Sequence, residues 1–344
     1  MSERMPVAWI GCVYGHQRDY GGTLAAHART QLVAIAERPG ALEAHVNVAR
    51  TLAAERSVPF YADYHEMLLK HRLVAASVAL PPEHNVPVLM DLARRGIHLI
   101  SEKPVTPCAA ELAPLGGVLK ETGVRFTFAA PATVFSGAFR PAIEAVERGE
   151  IGEARTGYFQ YLQTGGPEYT LPPERCKEVR MAEFGTFAPY GVLAFRKLMR
   201  SDIVKVFARF TSAFYPHYRE NGLEDMALVS VYFANGAVGT LVVGRTTTKG
   251  MPQADVRMQV FGSRGALNIN NGLGYAINQY RDGTHARIPF GSSTTTLFID
   301  DFVNAILEKR DPVVTYDDAL QTAAFLDASL ASAHSGRVES LKSI

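Results

Sequence analysis

Across its first 130 residues the chain alternates short apolar runs with helix-like stretches, and this alternation restricts the fold more than any other feature. Apolar runs at 6–10, 31–36, 58–61, 74–80, 97–101 and 124–129 are separated by helical stretches at 23–29, 45–56, 64–69, 86–95 and 109–122. Strands that alternate with helices in this way build a parallel, doubly wound sheet. The run at 74–80 is apolar almost throughout, as a strand covered on both faces should be. After Pro131 the pattern changes. A helix at 138–148 ends at Gly149, and longer, alternating strands follow at 155–163, 203–214, 226–233, 238–246, 255–261 and 266–269. Asn235-Gly236 between two of them is a hairpin signal. Helices at 298–307 and 316–335 come last. With 344 residues the chain has the length of two domains. The expected architecture is an α/β, doubly wound parallel sheet over 1–130, then an α+β domain with a large, mostly antiparallel open sheet over 131–344.

Ligands of such parallel sheets bind beyond the carboxyl ends of the strands. The turn after the first strand holds Gly11, Val13, Tyr14 and Gly15, with Val13 where GxGxxG has its second glycine. Strand, glycine-bearing turn and helix open a dinucleotide-binding unit, in which backbone amides and a helix N-terminus meet a pyrophosphate. Glu37 ends the second strand 26 positions after Gly11, near the ~20-residue spacing of a ribose-binding acid. It would bond the ribose hydroxyls and repel a 2′-phosphate, whereas Arg38 would accept that phosphate. NAD is the expected cofactor, with NADP the alternative. Pro104 cannot sit inside a central strand, so Glu102 and Lys103 stand at a strand's carboxyl end. A lysine there can serve as acid or base if burial or a nearby cation lowers its pKa.

The formal charge of +1 and the absence of a basic run exclude a nucleic-acid surface. No apolar run is long enough to span a bilayer. Cys12, Cys108 and Cys176 are scattered, with no CxxC pair, which points to a reducing compartment. The first residues lack a signal peptide's apolar region, so a cytoplasmic location is expected. His16, His217 and Asp225 show no metal-ligand spacing, and no metal is expected.

The ordered set Pro81-Pro82-x-His84, Gly96-Ile97-His98, Glu102-Lys103-Pro104, Gly149-x-Ile151-Gly152, Asn235-Gly236-Ala237 and Ser332-Ala333-x-Ser335-Gly336-Arg337 resembles the glucose–fructose oxidoreductase/inositol dehydrogenase (Gfo/Idh/MocA) family. The resemblance runs from about Pro6 to Leu341. It implies an N-terminal Rossmann domain, an open-sheet second domain, and NAD(P)-linked oxidation or reduction of sugars, polyols or related carbonyl compounds. It implies that Lys103 is catalytic, that Glu102 lies beside the nicotinamide, and that Leu80, Pro81 and His84 line the cofactor, with Gly11 to Gly15 as its phosphate loop.

The family often carries an acid and, four residues later, a histidine on a helix facing the nicotinamide. Here Thr186 and Tyr190 stand at those positions. Spacing of four puts both on one helical face, although Pro189 and Gly191 weaken a helix. A tyrosine can replace the histidine if a neighbouring ammonium lowers its pKa from ~10, which makes Lys103 and Tyr190 the expected proton-handling pair; the alternative is that Tyr190 only packs over the nicotinamide and catalysis is weak or lost. Arg180 and Glu183 are the nearest charged candidates for substrate contact. Two other functions fit the same residues: a redox-assisted lyase or glycosidase with no net NADH, and a non-catalytic dinucleotide-binding sensor. The partners expected are a small-molecule substrate and further copies of the chain, as a homo-dimer or homo-tetramer through the second sheet.

Overall fold

The computed structural model describes residues 4–12, 16–165, 168, 170–247, 254–270, 276–289 and 294–342. The chain forms two compact units, Met1–Pro131 with Thr294–Leu320, and Ala132–Ser293 with Gln321–Ile344.

The strands of the first unit are β1 (Met5–Ile10), β2 (Thr30–Ala36), β3 (Phe60–Tyr61), β4 (Ala75–Val78), β5 (His98–Ser101) and β6 (Phe126–Phe128). They form one sheet in the order β3-β2-β1-β4-β5-β6, with every pair parallel. This is the doubly wound order whose direction reverses between β1 and β4, the switch point beside which ligands of such sheets bind. The helices are α1 (Gly22–Ala26), α2 (Glu43–Glu55), α3 (Tyr64–Lys70), α4 (Pro82–Arg94) and α5 (Ala109–Thr122). Strands β1 and β4 are the core of the unit: Val7, Ala8, Trp9, Ile10, Ala76 and Val78 are fully buried. Gly123 ends α5 in the left-handed conformation at φ +68°, a place where a Cβ would be strained.

Several expected bounds shift, for physical reasons. The strand at 74–80 pairs only over Ala75–Val78, because Ala79 and Leu80 are fully buried while already turning toward α4. The strands expected at 58–61 and 124–129 shorten to Phe60–Tyr61 and Phe126–Phe128. The helix expected at 86–95 starts at Pro82, whose missing N–H costs nothing in a first turn. The first helical segment begins earlier than expected, with a π-helical turn at Gln17–Gly21 running into α1. Gly21 therefore lies within a helical segment. A Cβ there would sit 3.0 Å from both Trp9 and Gln17, so the glycine permits close packing.

The second unit begins with α6 (Pro131–Val134) and α7 (Phe139–Glu147), followed by β7 (Ala154–Thr164), α8 (Glu183–Met199), β8 (Ile203–Thr211), α9 (Pro216–Glu220), β9 (Met226–Phe233), β10 (Val238–Thr246), β11 (Ala254–Gly262) and β12 (Gly265–Asn270). Then come β13 (Ala276–Arg281), β14 (Thr284–Pro289), α10 (Thr294–Glu308), α11 (Tyr316–Ser335) and β15 (Glu339–Ser340), of which α10 and the first residues of α11 belong to the first unit. Nine strands form one sheet in the order β14-β13-β12-β11-β7-β10-β9-β8-β15, antiparallel except for the β10–β7 pair. The β13–β14 hairpin was not expected. Its turn, Asp282-Gly283, has positive φ at both residues, the Asp-Gly signal of a tight hairpin. Helix α8 is continuous in spite of Pro189 and Gly191, because tertiary burial outweighs local propensity. Gly191 is required there: a Cβ would lie 2.4 Å from Leu241 and 2.7 Å from Phe159.

Candidate active site

In the first unit the site begins where β1 ends. Gly11 adopts φ +73°, and a Cβ on it would lie 2.5 Å from the Leu80 side chain and 2.7 Å from the Ala79 carbonyl oxygen. Only glycine lets the turn pass the end of β4. The Gly11 N–H donates to the Ala36 carbonyl at the end of β2 (2.9 Å). Gln17, fully buried, donates to the Gly11 and Ser77 carbonyls at 3.3 and 3.1 Å and accepts from the Ser77 hydroxyl at 2.7 Å. Val13, Tyr14 and Gly15 lie outside the described residues. Leu80 is fully buried, Pro81 directly precedes α4, and His84 is exposed in its first turn.

Glu37 follows β2 and is 1% exposed. Its Oε1 accepts the Arg38 N–H at 2.9 Å, whereas its Oε2 is buried with no hydrogen-bond partner among the described residues. Burial raises its pKa above the usual carboxylate value, partly offset by the Arg38 N–H and charge. An orphaned carboxylate oxygen at this strand end is an acceptor for two hydroxyl groups, which fits a ribose. Arg38 is half-buried and donates to the Pro39 carbonyl at 3.2 Å. The cradle at Gly11 and the free Glu37 oxygen therefore both suit an adenine dinucleotide without a 2′-phosphate.

Glu102 follows β5 and is 2% exposed. Its N–H donates to the Val78 carbonyl, its Oε1 lies 3.2 Å from His16 Nδ1, and its Oε2 accepts the Tyr20 hydroxyl at 2.8 Å. Lys103 beside it is 6% exposed. The structure thus gathers Gly11, Leu80 and Pro81 at the β1 and β4 ends, with Glu102 and Lys103 on the neighbouring strand.

In the second unit the corresponding residues sit on α8. Tyr190 is buried and stacks on Tyr161 of β7 (5.2 Å, 14°), which in turn stacks on Phe187 (4.9 Å, 15°). Thr186 donates its hydroxyl to the Ala182 carbonyl one turn back (3.1 Å). Glu183 is the first residue of α8. It is 3% exposed and its Oε1 accepts from Arg245 Nε at 2.9 Å and from the Tyr218 hydroxyl at 2.8 Å, while its Oε2 is buried with no hydrogen-bond partner among the described residues. Arg180 is exposed and lies 3.7 Å from Asp327, apart from this cluster. Tyr218 also ties the preceding loop to the cluster by accepting the Leu171 N–H at 2.8 Å.

The N-terminus of α8 has no side-chain cap of its own. Glu224 supplies one from outside the helix, accepting the Ala182 and Phe184 N–H groups at 2.7 and 2.9 Å. Burial pushes its carboxyl up to about 7, against the pull of those N–H donors and with a further push from Glu183. A raised folded value means that the native state takes up this proton before the unfolded chain does. The resulting stabilisation is complete below an ordinary Glu pKa of ~4.3 and is lost as pH rises toward about 7. Thermal melts between pH 5 and 8 should show this slope in the wild type and lose it in Glu224→Gln. An unchanged slope would assign the titration elsewhere.

Gln17, Tyr20, Glu224, Tyr218 and Arg245 carry no spacing signal in the sequence. Gln17 and Tyr20 find their partners within the first unit, and Glu224, Tyr218 and Arg245 within the second, and those partners become visible only in the fold. Among the described residues no group of three or more His, Cys, Asp or Glu side chains could hold a metal ion, and no helix is long and apolar enough to cross a membrane.

Solved structures share this fold over nearly the whole chain. The oxidoreductase domain protein of Kribbella flavida superposes with a TM-score of 0.85 at 19% identity over 100% of both chains. Levoglucosan dehydrogenase in complex with NADH gives 0.84 at 18% identity, covering 99% of this chain and 100% of that one. Two relatives from Bacillus subtilis (strain 168) are similar in sequence. The oxidoreductase YrbE is 25% identical over 213 residues, 61% of this chain and 59% of that protein. The scyllo-inositol 2-dehydrogenase (NAD(+)) is 26% identical over 230 residues, 64% of this chain and 61% of that protein. The matches thus span about three-fifths of these relatives' lengths. Residues 5–130 match the family described as oxidoreductase family, NAD-binding Rossmann fold, and 139–268 match the GFO/IDH/MocA C-terminal domain. The chain belongs to the GFO/IDH/MocA oxidoreductase family.

Proposed function

We propose that this protein is an NAD-dependent dehydrogenase or reductase of a polyol, sugar or related hydroxy compound. The observation that carries the cofactor half is Glu37, a buried carboxylate with one unpartnered oxygen at the end of β2. A ribose bearing two hydroxyl groups satisfies it, and a 2′-phosphate would repel it. The substrate class follows the relatives that match in sequence, scyllo-inositol 2-dehydrogenase and the myo-inositol 2-dehydrogenase of Thermotoga maritima, together with levoglucosan dehydrogenase, which shares the fold.

A bound nicotinamide supplies the hydride acceptor or donor. In the oxidising direction the hydroxyl proton passes to Lys103 or Tyr190, and in the reducing direction it returns from them. Thr186 and the second oxygen of Glu183 offer acceptors for further substrate hydroxyls on α8, and Arg180 a more distant charge. Cys12, Cys108 and Cys176 form no disulfide among the described residues, which suits a cytoplasmic protein. A second copy of the chain fits the open face of the nine-stranded sheet. Tyr232, Val238, Phe261 and Tyr280 form one exposed row across it, at 37%, 47%, 48% and 45% exposure, joined through Thr156 and Ala266.

Calorimetric titration with NADH and, separately, NADPH tests the reading. NADH should bind at least about tenfold more tightly, and Glu37→Ser should remove that preference by lifting the repulsion. Tighter binding of NADPH would reverse the cofactor assignment, and binding of neither would end the dehydrogenase reading. Turnover of inositols and aldoses with NAD, followed by nicotinamide absorbance, then identifies the substrate.

A further inference from the structure

We propose that His16 and Tyr20 are positioning residues for the cofactor, forming a two-donor clamp that holds the Glu102 carboxylate beside Lys103. The inference rests on the dinucleotide-binding reading above and assigns work to two residues outside the motifs that carry it.

A carboxylate that is 2% exposed needs a hydrogen-bond partner on each oxygen, and Glu102 has one on each. Tyr20 is 2% exposed, and burial together with the Glu102 charge raises its phenol well above the ordinary tyrosine value. Tyr20 therefore stays an O–H donor wherever Glu102 is ionised. His16 Nδ1, in its protonated tautomer, donates to the other oxygen. The His16 side chain is 48% exposed, so the ring bridges the buried carboxylate and the surface that follows the glycine turn.

Both donors belong to the helical segment that contains the π-helical turn Gln17–Gly21. Such turns recur at functional sites because they redirect side chains that a regular helix would space differently. Here one short segment aims His16 and Tyr20 at Glu102, and Gln17 at Gly11 and Ser77. Trp9 Nε1 adds a bond to the Gly21 carbonyl at 3.1 Å. Gly11, the end of β4 and Glu102 are thus tied by hydrogen bonds to one helical segment. Fixing Gly11 and Glu102 from one segment preforms the site, and a preformed site spends less binding free energy on ordering itself.

The test is NADH calorimetry on the full-length chain, with unliganded melting temperatures alongside, for wild type, Tyr20→Phe, His16→Ala, Glu102→Gln and the Tyr20→Phe/Glu102→Gln double variant. Tyr20→Phe should weaken NADH binding about tenfold and His16→Ala about threefold, since each leaves one oxygen of a buried charge unpaired. In the Glu102→Gln background the charge is gone, and Tyr20→Phe should then cost less than about twofold. A purely structural tyrosine would give the same loss in both backgrounds, and that result would overturn the proposal. So would wild-type affinity in both Tyr20→Phe and His16→Ala, or losses of affinity that merely follow losses of melting temperature. Since His16 is half exposed, its variant tests the clamp even if Tyr20→Phe fails to fold. Absence of NADH binding by the wild type would instead defeat the dinucleotide reading itself.

Discussion

Lys103→Met is expected to lower turnover by roughly 10²–10⁴-fold while leaving NADH binding nearly unchanged, the range associated with losing a positioned acid or base. Lys103 is 6% exposed, and methionine fills the volume of its methylene stem without the amine. What disappears is the group that holds or moves the substrate's proton, so kcat and kcat/KM should fall together. Tyr190→Phe is the companion variant. It keeps the ring that stacks on Tyr161 and removes only the hydroxyl. A fall in kcat with a changed pH profile makes Tyr190 part of the proton path, whereas unaltered kinetics would make it a packing residue. Full turnover in Lys103→Met would defeat the mechanism.

Arg245→Met should destabilise the second unit by about 3–5 kcal/mol, the usual consequence of stripping one partner from a buried ion pair. At ~2–4 °C per kcal/mol for units of this size, the melting temperature should drop by roughly 6–20 °C. Glu183 and Arg245 are 3% and 7% exposed, and the methionine would leave the Glu183 charge with only Tyr218 as donor. The double variant Glu183→Met/Arg245→Met should recover most of the loss, because an apolar pair of similar volume carries no desolvation penalty. Recovered stability without recovered turnover would separate the structural role of the pair from the substrate contact proposed for Glu183. A melting temperature unchanged in Arg245→Met would show that the pair contributes little.

The two sheets were legible because each has a periodicity that only one environment satisfies. Doubly covered parallel strands read as apolar runs, and the strands of the second sheet read as alternation, as in the burial of β9 and β10. Helix α5 and strands β9 and β10 lie where turn residues and periodicity placed them. Strand ends were less legible, since Leu80 is as buried outside the β4 ladder as Val78 is inside it. The π-helical turn left no signal either, because its form is set by what Gln17 and Tyr20 reach.

The ordered motifs carried the family resemblance, and the sequence by itself determined the fold class and the strand-end positions of Gly11, Glu37, Glu102 and Lys103. These depend on local rules: φ freedom at glycine, the missing N–H of proline, and the period of burial. The tertiary structure alone decided how those groups are held. It left one Glu37 oxygen without a partner, put Tyr20 and His16 on Glu102, tied Glu183 to Arg245 and Tyr218, and set Glu224 against the start of α8. Such contacts join residues up to 86 positions apart. A hydrogen bond or buried charge pair is a property of distance in space, and no local pattern in a chain encodes it.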